Sequence, residues 1–274
     1  MDFASVYTHL VGDGPDSRVT SWPLLDGWEV PTAISAVYIL GIPIGMSIMK
    51  DREPFKLKAF SLFHNFFLFT LSMYMTVETL RQAYLNFGWS TNFTIFCNSV
   101  EQPQQTPTGF SESGEALATI LWIHYISKAY EFFDTVIMIM KKNNRQVSFL
   151  HVYHHATTFF PVWYGNVRYG PGGEAYYCCA LNSFVHVFMY GYYFFASVGL
   201  PLPFIKRSIT MFQMVQFVTY IVQSVYILFI TDCQRPRLSG YFLLVQAIIF
   251  LVLFAMFFVQ SYLKPKKQGD KKKQ

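Results

Sequence analysis

The chain of 274 residues is 53% hydrophobic and only 14% charged, whereas soluble domains carry about 25% charged residues. This composition excludes an ordinary soluble protein, and an aromatic content of 19% excludes a disordered chain. At about 20 residues per membrane-crossing helix, the length allows roughly six to eight spans. The net charge of +5 would indicate nucleic-acid binding only if the basic residues clustered on a soluble face.

Hydropathy predicts seven membrane helices. In chain order they cover residues 31–49, 61–80, 115–140, 147–164, 174–198, 208–230 and 241–263. The fourth is the least apolar, because it is short and holds three histidines. Residues 1–30 are polar and lack the pattern of a signal peptide, whereas residues 264–274 form a basic tail. We expect an all-α polytopic membrane protein with a transmembrane domain of seven helices at 31–263, between a lumenal segment and a cytosolic tail.

The basic residues predict the orientation of these helices. If the amino terminus faces outward and all seven helices span, fifteen of the 21 Lys and Arg residues face the cytosol, five face the other side and Lys128 lies within a span. Cys97 and Cys233 then share the non-cytosolic side, where a disulfide can form. The sequon at Asn92 lies on that side too. This distribution leaves no soluble basic face for nucleic acid.

The tail ends in three lysines and a glutamine. This dilysine pattern is typical of a retrieval signal for the endoplasmic reticulum. A basic juxtamembrane tail attracted to anionic lipid is the alternative. We expect a multi-pass protein of the endoplasmic-reticulum membrane, with a lumenal amino terminus and a cytosolic carboxyl terminus.

Polar side chains within the spans indicate a site, because a charge at the centre of a membrane helix costs about 2.5–3.5 kcal/mol. Three charged residues lie in the third span and three histidines share one face of the fourth. The fifth and sixth spans add further polar groups. At about 1.5 Å per residue, all of them lie in the cytosolic half of the membrane. The residues are Lys128, Glu131, Asp134, His151, His154, His155, Asn182, His186, Tyr190, Gln213 and Gln216. A purely structural ion pair remains an alternative for Lys128 and Glu131.

Clustered histidines also suggest a metal site. Membrane di-iron desaturases and hydroxylases use several histidine boxes, whereas this chain has one box and seven histidines in all. A zinc site formed by His151, His155 and His186 satisfies the ligand count. A seven-helix receptor leaves the histidines unexplained, and a transporter would need paired broken helices that do not occur here. Imidazole acting as a base or nucleophile, without metal, is the interpretation that we favour.

Four motifs occur in order along the chain. They are Lys128-x-x-Glu131-x-x-Asp134-Thr135, His151-x-x-His154-His155, Asn182-x-x-x-His186-x-x-Met189-Tyr190-x-Tyr192-Tyr193 and Thr210-x-x-Gln213-x-x-Gln216. In order and spacing they resemble the motifs of the ELO family of membrane fatty acid elongases, over about residues 50–263. The resemblance implies a seven-helix bundle that encloses an acyl tunnel. Residues 146–151, with Tyr153, resemble the branch that acts on polyunsaturated chains.

The resemblance implies condensation of malonyl-CoA with a long-chain acyl-CoA, which gives a 3-oxoacyl-CoA, carbon dioxide and CoA without a cofactor or metal. We expect His151, His154, His155 and His186 to be catalytic and the remaining polar residues of the spans to orient them. Basic cytosolic residues suit the phosphates of CoA. They are Lys141, Lys142, Arg145, Lys206 and Arg207.

Two mechanisms remain open at the level of sequence. In one, His154 attacks the acyl thioester and forms an acyl-imidazole. In the other, the condensation is direct and a histidine serves only as base. In both, we expect Lys128, Glu131 and Asp134 to hold His154 or His151. Because elongation also needs reduction and dehydration, the partners expected in the same membrane are a reductase and a dehydratase.

Overall fold

The computed structural model describes residues 19, 21–25, 27–87, 94–96, 112–169, 175–200, 202–231 and 237–263. Across these ranges the regular secondary structure is helical throughout. The helices are α1 (Glu29–Met49), α2 (Lys58–Phe87), α3 (Glu112–Tyr130), α4 (Phe132–Met140), α5 (Phe149–Tyr169), α6 (Ala175–Ser197), α7 (Pro203–Val225) and α8 (Arg237–Phe258). Helices α7 and α8 each continue as a π-helical turn, Tyr226–Ile230 and Val259–Leu263.

The third predicted span is broken at its charged centre. Helices α3 and α4 are separated only by Glu131, whose backbone N–H still bonds the carbonyl of Ser127 at 2.8 Å. The N–H of Asp134 bonds the carbonyl of Glu131 at 3.0 Å, and such an i to i+3 bond tightens the turn. Counted as one broken segment, α3 and α4 bring the described helices to seven segments, and the predicted all-α fold is confirmed.

Within the described residues, four helices are long and apolar enough to cross a membrane: Glu29–Met49, Lys58–Asn86, Phe204–Ile230 and Arg237–Leu263. The other segments, α3 with α4, α5 and α6, carry the charged residues and histidines that lower their hydropathy. Large apolar side chains cover the outer surface, and on α1 they include Val37, Leu40, Ile44 and Ile48. Water would not stabilise such a surface, and the chain is a multi-pass membrane protein.

Six helices close into a ring. Helix α2 contacts α6, and the ring continues through α7, α8, α5 and α3 back to α2. Helix α1 contacts α4 and α5 from outside this ring. A cavity of about 200 Å³ lies between α3, α5, α6, α7 and α8. The ring therefore surrounds an interior space, and each polar segment faces its neighbours across it.

Some predicted features fall outside the described residues. They are the lumenal segment 1–18, the sequon at Asn92, Cys97, Cys233 and the tail 264–274. The disulfide, the sequon and the retrieval signal therefore stay predictions. The other two cysteines, Cys178 and Cys179, lie on α6 and form no disulfide within the described residues.

Candidate active site

The interior cavity is polar at one end and largely apolar beyond it. The polar end is formed by His124, Lys128, His154, Asn182 and Gln216. The apolar wall comprises Leu121, Pro161, Val162, Phe217, Ile227, Leu243, Ala247 and Phe250. Along α5 the lining extends from His154 to Gly165, a distance of about 16 Å at 1.5 Å per residue. A long apolar chain with a reactive polar head fits this division of the wall.

Lys128 and Glu131 form an ion pair that is almost completely buried. Their side chains are 5% and 2% exposed, and Lys128 Nζ donates to Glu131 Oε1 at 2.8 Å. Lys128 Nζ also donates to Asn182 Oδ1 at 2.7 Å on α6, and His124 Nε2 donates to the same oxygen at 3.1 Å. Pairing on one helix removes the cost of two isolated charges in the membrane. The pair therefore also fixes the orientation of the Asn182 amide.

His186 lies between Glu131 and Asn182. Its Nδ1 lies 3.5 Å from Glu131 Oε1, and its Nε2 lies 3.5 Å from Asn182 Nδ2. A carboxylate only accepts hydrogen bonds and an amide nitrogen only donates them. We therefore assign the proton of the neutral His186 ring to Nδ1, with the Nε2 lone pair toward the Asn182 amide. A histidine held in this way by a carboxylate is suited to act as a base at Nε2.

The three histidines of the fourth span have different surroundings. Only His154 lines the cavity, and in the described part of the chain its ring has no hydrogen bond. The Nε2 of His151 pairs with Thr135 Oγ1 at 2.8 Å, and Thr135 in turn pairs with the hydroxyl of Tyr38 at 3.0 Å. His155 is buried with its ring 4.5 Å from that of His151. The box thus presents one unpaired imidazole to the cavity.

Asp134 connects to different residues than the sequence suggested. Its Oδ1 is 2.8 Å from His64 Nε2 on α2, and its Oδ2 accepts the hydroxyl of Tyr190 on α6 at 2.8 Å. Across the described residues, no hydrogen bond joins Lys128, Glu131 or Asp134 to the ring of His154 or His151. These charged residues hold α2 and α6 instead of the histidine box.

The two glutamines of the sixth span lie differently. Gln216 lines the cavity and donates to the hydroxyl of Tyr220 at 3.1 Å, whereas Gln213 contacts Met189 Sδ at 3.9 Å. None of the four sequence motifs contains His64 or His124. The spacing of His124, one turn before Lys128, was an available signal, but no sequence pattern links His64 to Asp134, 70 residues away.

The predicted CoA-binding residues lie on the α4–α5 loop and in the first turns of α7. All except the half-buried Lys141 are exposed. Two of them also have partners within the chain: Lys142 Nζ donates to the carbonyl of Lys50 at 3.0 Å, and the Arg207 guanidinium lies 5.4 Å from the Phe258 ring centroid. Lys142 therefore caps the end of α1 as well as adding positive charge. Arg145 and Lys206 complete this set.

The described residues contain no group of three His, Cys, Asp or Glu side chains placed to hold a metal ion. The three histidines considered for zinc, His151, His155 and His186, do not form such a group. His151 pairs with Thr135, and His186 lies beside Glu131.

Comparison with known proteins agrees with the motifs. Residues 23–270 match the family described as ELO: GNS1/SUR4. The chain is 37% identical over 258 residues to very long chain fatty acid elongase 4 of Macaca mulatta, covering 92% of this chain and 77% of that protein. It is 37% identical over 255 residues to very long chain fatty acid elongase 5 of Rattus norvegicus, covering 92% and 80%. These similarities extend across the whole ring of helices.

Proposed function

Because the chain belongs to the ELO (GNS1/SUR4) family, we propose that it is a 3-oxoacyl-CoA synthase that elongates long-chain acyl-CoA with malonyl-CoA. Its relatives are named very long chain fatty acid elongases. The observation that carries the proposal is the cavity, where His154, Lys128 and Asn182 lie at one end of an apolar wall. The test is formation of radiolabelled 3-oxoacyl-CoA by the purified protein from labelled malonyl-CoA and an acyl-CoA.

In the proposed first step, a ring nitrogen of His154 attacks the thioester carbonyl of acyl-CoA. A carbon–nitrogen bond forms, the carbon–sulfur bond breaks, and the proton lost from the other ring nitrogen of His154 passes to the CoA thiolate. The unpaired ring of His154 in the cavity supports this role, since a nucleophile needs a free lone pair. Lys128 and Asn182 lie on the same wall and can stabilise the oxygen that becomes negative.

In the second step, malonyl-CoA loses carbon dioxide and its carbanion attacks the acyl-imidazole. A carbon–carbon bond forms and the carbon–nitrogen bond to His154 breaks, which releases the 3-oxoacyl-CoA. The leaving imidazole of His154 takes up one proton from solvent and so returns to its starting form. His186, oriented by Glu131, and His155 assist decarboxylation and proton transfer. Direct condensation, with a histidine serving only as base, is the competing mechanism.

Incubation with acyl-CoA alone separates the two mechanisms. We expect intact-protein mass spectrometry to show one acyl group on the protein and CoA to be released in equal amount, because the first step needs no malonyl-CoA. Addition of malonyl-CoA should then remove the adduct. An enzyme that elongates at the normal rate without forming an adduct would use direct condensation.

We propose that no metal or cofactor takes part, since imidazole and amide groups provide the required chemistry. Activity should withstand prolonged chelation, and metal analysis of the active protein should find less than stoichiometric zinc and iron. Loss of activity on chelation, with recovery on adding back one metal, would replace this mechanism with a metal-dependent one.

The length of the cavity should set the length of the product. A Cβ placed on Gly165 would meet no atom within 4 Å, and Gly165 lines the cavity about 16 Å from His154. Gly165→Leu therefore adds a side chain to the far end without a clash. We expect elongation of the longest acyl-CoA in a panel to fall about 10-fold or more relative to the shortest.

The matched control for this variant is Gly41→Leu. A Cβ on Gly41 also meets nothing within 4 Å, but α1 lies outside the ring. Its product profile should equal that of the unmodified protein. If both variants give the same product profile, the length of the cavity does not set the length of the product.

The same acyl-CoA panel tests the proposed preference for polyunsaturated chains. A polyunsaturated acyl-CoA should compete with the saturated chain of equal length and be elongated with a higher kcat/KM.

We also propose that the protein resides in the endoplasmic-reticulum membrane with a cytosolic carboxyl terminus, near the reductase and dehydratase of the elongation cycle. Protease cleavage of a carboxyl-terminal tag in sealed microsomes tests the orientation.

A further inference from the structure

His64 is a buried histidine that none of the four sequence motifs contains. It lies on α2 with 0% of its surface exposed, and its ring stacks on that of Tyr130 with centroids 5.3 Å apart. Its Nε2 lies 2.8 Å from Asp134 Oδ1. Its Nδ1 is buried and has no partner among the described residues. Burying a polar group such as Nδ1 without a partner is costly. Packing alone therefore does not explain a histidine at this position, and the bond that its Nε2 makes to Asp134 indicates a specific role.

The two ring nitrogens have opposite requirements. A carboxylate oxygen accepts hydrogen bonds, so the proton of the neutral ring lies on Nε2. A second proton on Nδ1 would have no described acceptor. We therefore assign a proton to Nε2, through which His64 donates to Asp134.

His64 bonds only one oxygen of the Asp134 carboxylate, and the other oxygen accepts a hydrogen bond from Tyr190. The Tyr190 hydroxyl donates to Oδ2 at 2.8 Å, and the Tyr190 ring packs edge-on against His186 with centroids 5.6 Å apart. Asp134 is thus held by donors from α2 and α6. Lys128 donates instead to Glu131.

We infer that His64 is a positioning residue for the condensation. It holds the Asp134 carboxylate in one orientation, Asp134 holds the Tyr190 hydroxyl, and the Tyr190 ring keeps His186 in place beside Glu131 and Asn182. His64 touches no substrate and acts only through Asp134. This inference rests on the proposed function, because His186 is assigned there as a catalytic base.

Two amide substitutions test the inference. The side-chain nitrogen of glutamine can occupy the place of Nε2 and donate to Asp134, whereas asparagine is one methylene shorter and cannot reach it. We expect His64→Asn to lower kcat by about 10- to 100-fold, as for loss of a hydrogen bond to a charged group, with the KM for acyl-CoA within about twofold. We expect His64→Gln to keep kcat within about fivefold of the unmodified protein, since the bond is retained.

Asn65→Ala is the control. Asn65 Nδ2 donates to Ser197 Oγ at 3.0 Å, so this variant likewise removes a hydrogen bond from α2, but one made to α6, and it leaves Asp134 untouched. It should keep kcat within about twofold, and thermal unfolding in detergent should verify that all variants are folded.

Two results would overturn the inference while the unmodified protein elongates normally. One is a His64→Asn variant with unchanged kcat, and the other is a His64→Gln variant as impaired as His64→Asn. If the unmodified protein forms no 3-oxoacyl-CoA at all, the proposed function fails and the role of His64 in condensation fails with it. Failure of the role proposed for His64 can therefore be distinguished from failure of the proposed function.

Discussion

His154→Ala is expected to lower the elongation rate by about 10²- to 10⁴-fold and to abolish the acyl-protein adduct. Only His154 among the histidines of the box lines the cavity, and its ring has no hydrogen bond in the described structure. Alanine removes the lone pair that would attack the thioester. The measurements are the rate of labelled 3-oxoacyl-CoA formation and the mass of the protein after incubation with acyl-CoA.

Tyr153→Phe provides the control for this substitution, because it changes the same turn of α5. The Tyr153 ring packs against Phe149 and Phe250, and phenylalanine retains those contacts. Its rate should stay within about twofold of the unmodified protein. A His154→Ala protein that elongates within tenfold of the normal rate would contradict any nucleophilic role for this residue.

His151 offers a second comparison within the same motif. Its ring pairs with Thr135 and does not line the cavity, so we do not expect it to attack a thioester that lies beside His154. We expect the elongation rate of His151→Gln to be at least about tenfold higher than that of His154→Ala. It should also retain the adduct.

Lys128→Met is expected to destabilise the protein by about 3–5 kcal/mol and to remove its activity. The substitution leaves Glu131 as a buried charge without its partner, which is the costly case for ion pairs. It also removes the charged one of the two donors to Asn182 Oδ1, and His124 remains as the other. Reversible unfolding in detergent measures the first effect, and the elongation assay measures the second.

The double variant Lys128→Met, Glu131→Gln distinguishes stability from catalysis. Because both charges are removed, most of the lost stability should return. Activity should stay low, since Asn182 still lacks its charged donor and His186 loses the carboxylate beside it. Recovery of both properties would show that Lys128 serves only to neutralise Glu131.

Arg81→Met is the matched control for this charged pair. Arg81 pairs with Glu78 at the same spacing of three residues, with N and O 2.6 Å apart, but its side chain is 57% exposed. Solvated pairs contribute little, so its loss should cost no more than about 1 kcal/mol. A Lys128→Met protein as stable as Arg81→Met would rule out the buried pair as a stabilising element.

The positions of the helices were predictable because the thickness of the membrane sets the length of each apolar tract. The predicted span 31–49 lies within α1, and the span 147–164 differs from α5 mainly at its ends. The break at Glu131 was not predictable. It brings Glu131 to α6 and Asp134 to both α2 and α6, and such partners are unknown until the helices are packed.

The candidate site was predictable as a set of residues but not as a set of contacts. Charges and histidines are rare within membrane spans, so their presence identified Lys128, Glu131 and the histidine box. The same reasoning could not rank the three histidines of the box. Their helical spacing places them on one face, whereas the bundle directs His154 into the cavity and pairs His151 with Thr135.

The amino-acid sequence alone determined that this protein is helical, lies in the membrane and carries its chemistry in four motifs, because these properties depend on composition and local spacing. Only the tertiary structure decided which groups meet. The bond between His64 and Asp134 joins residues 70 positions apart, and the cavity exists only where five helices enclose it. Hydrogen bonds of about 3 Å depend on the packing of whole helices, and no local pattern encodes that packing.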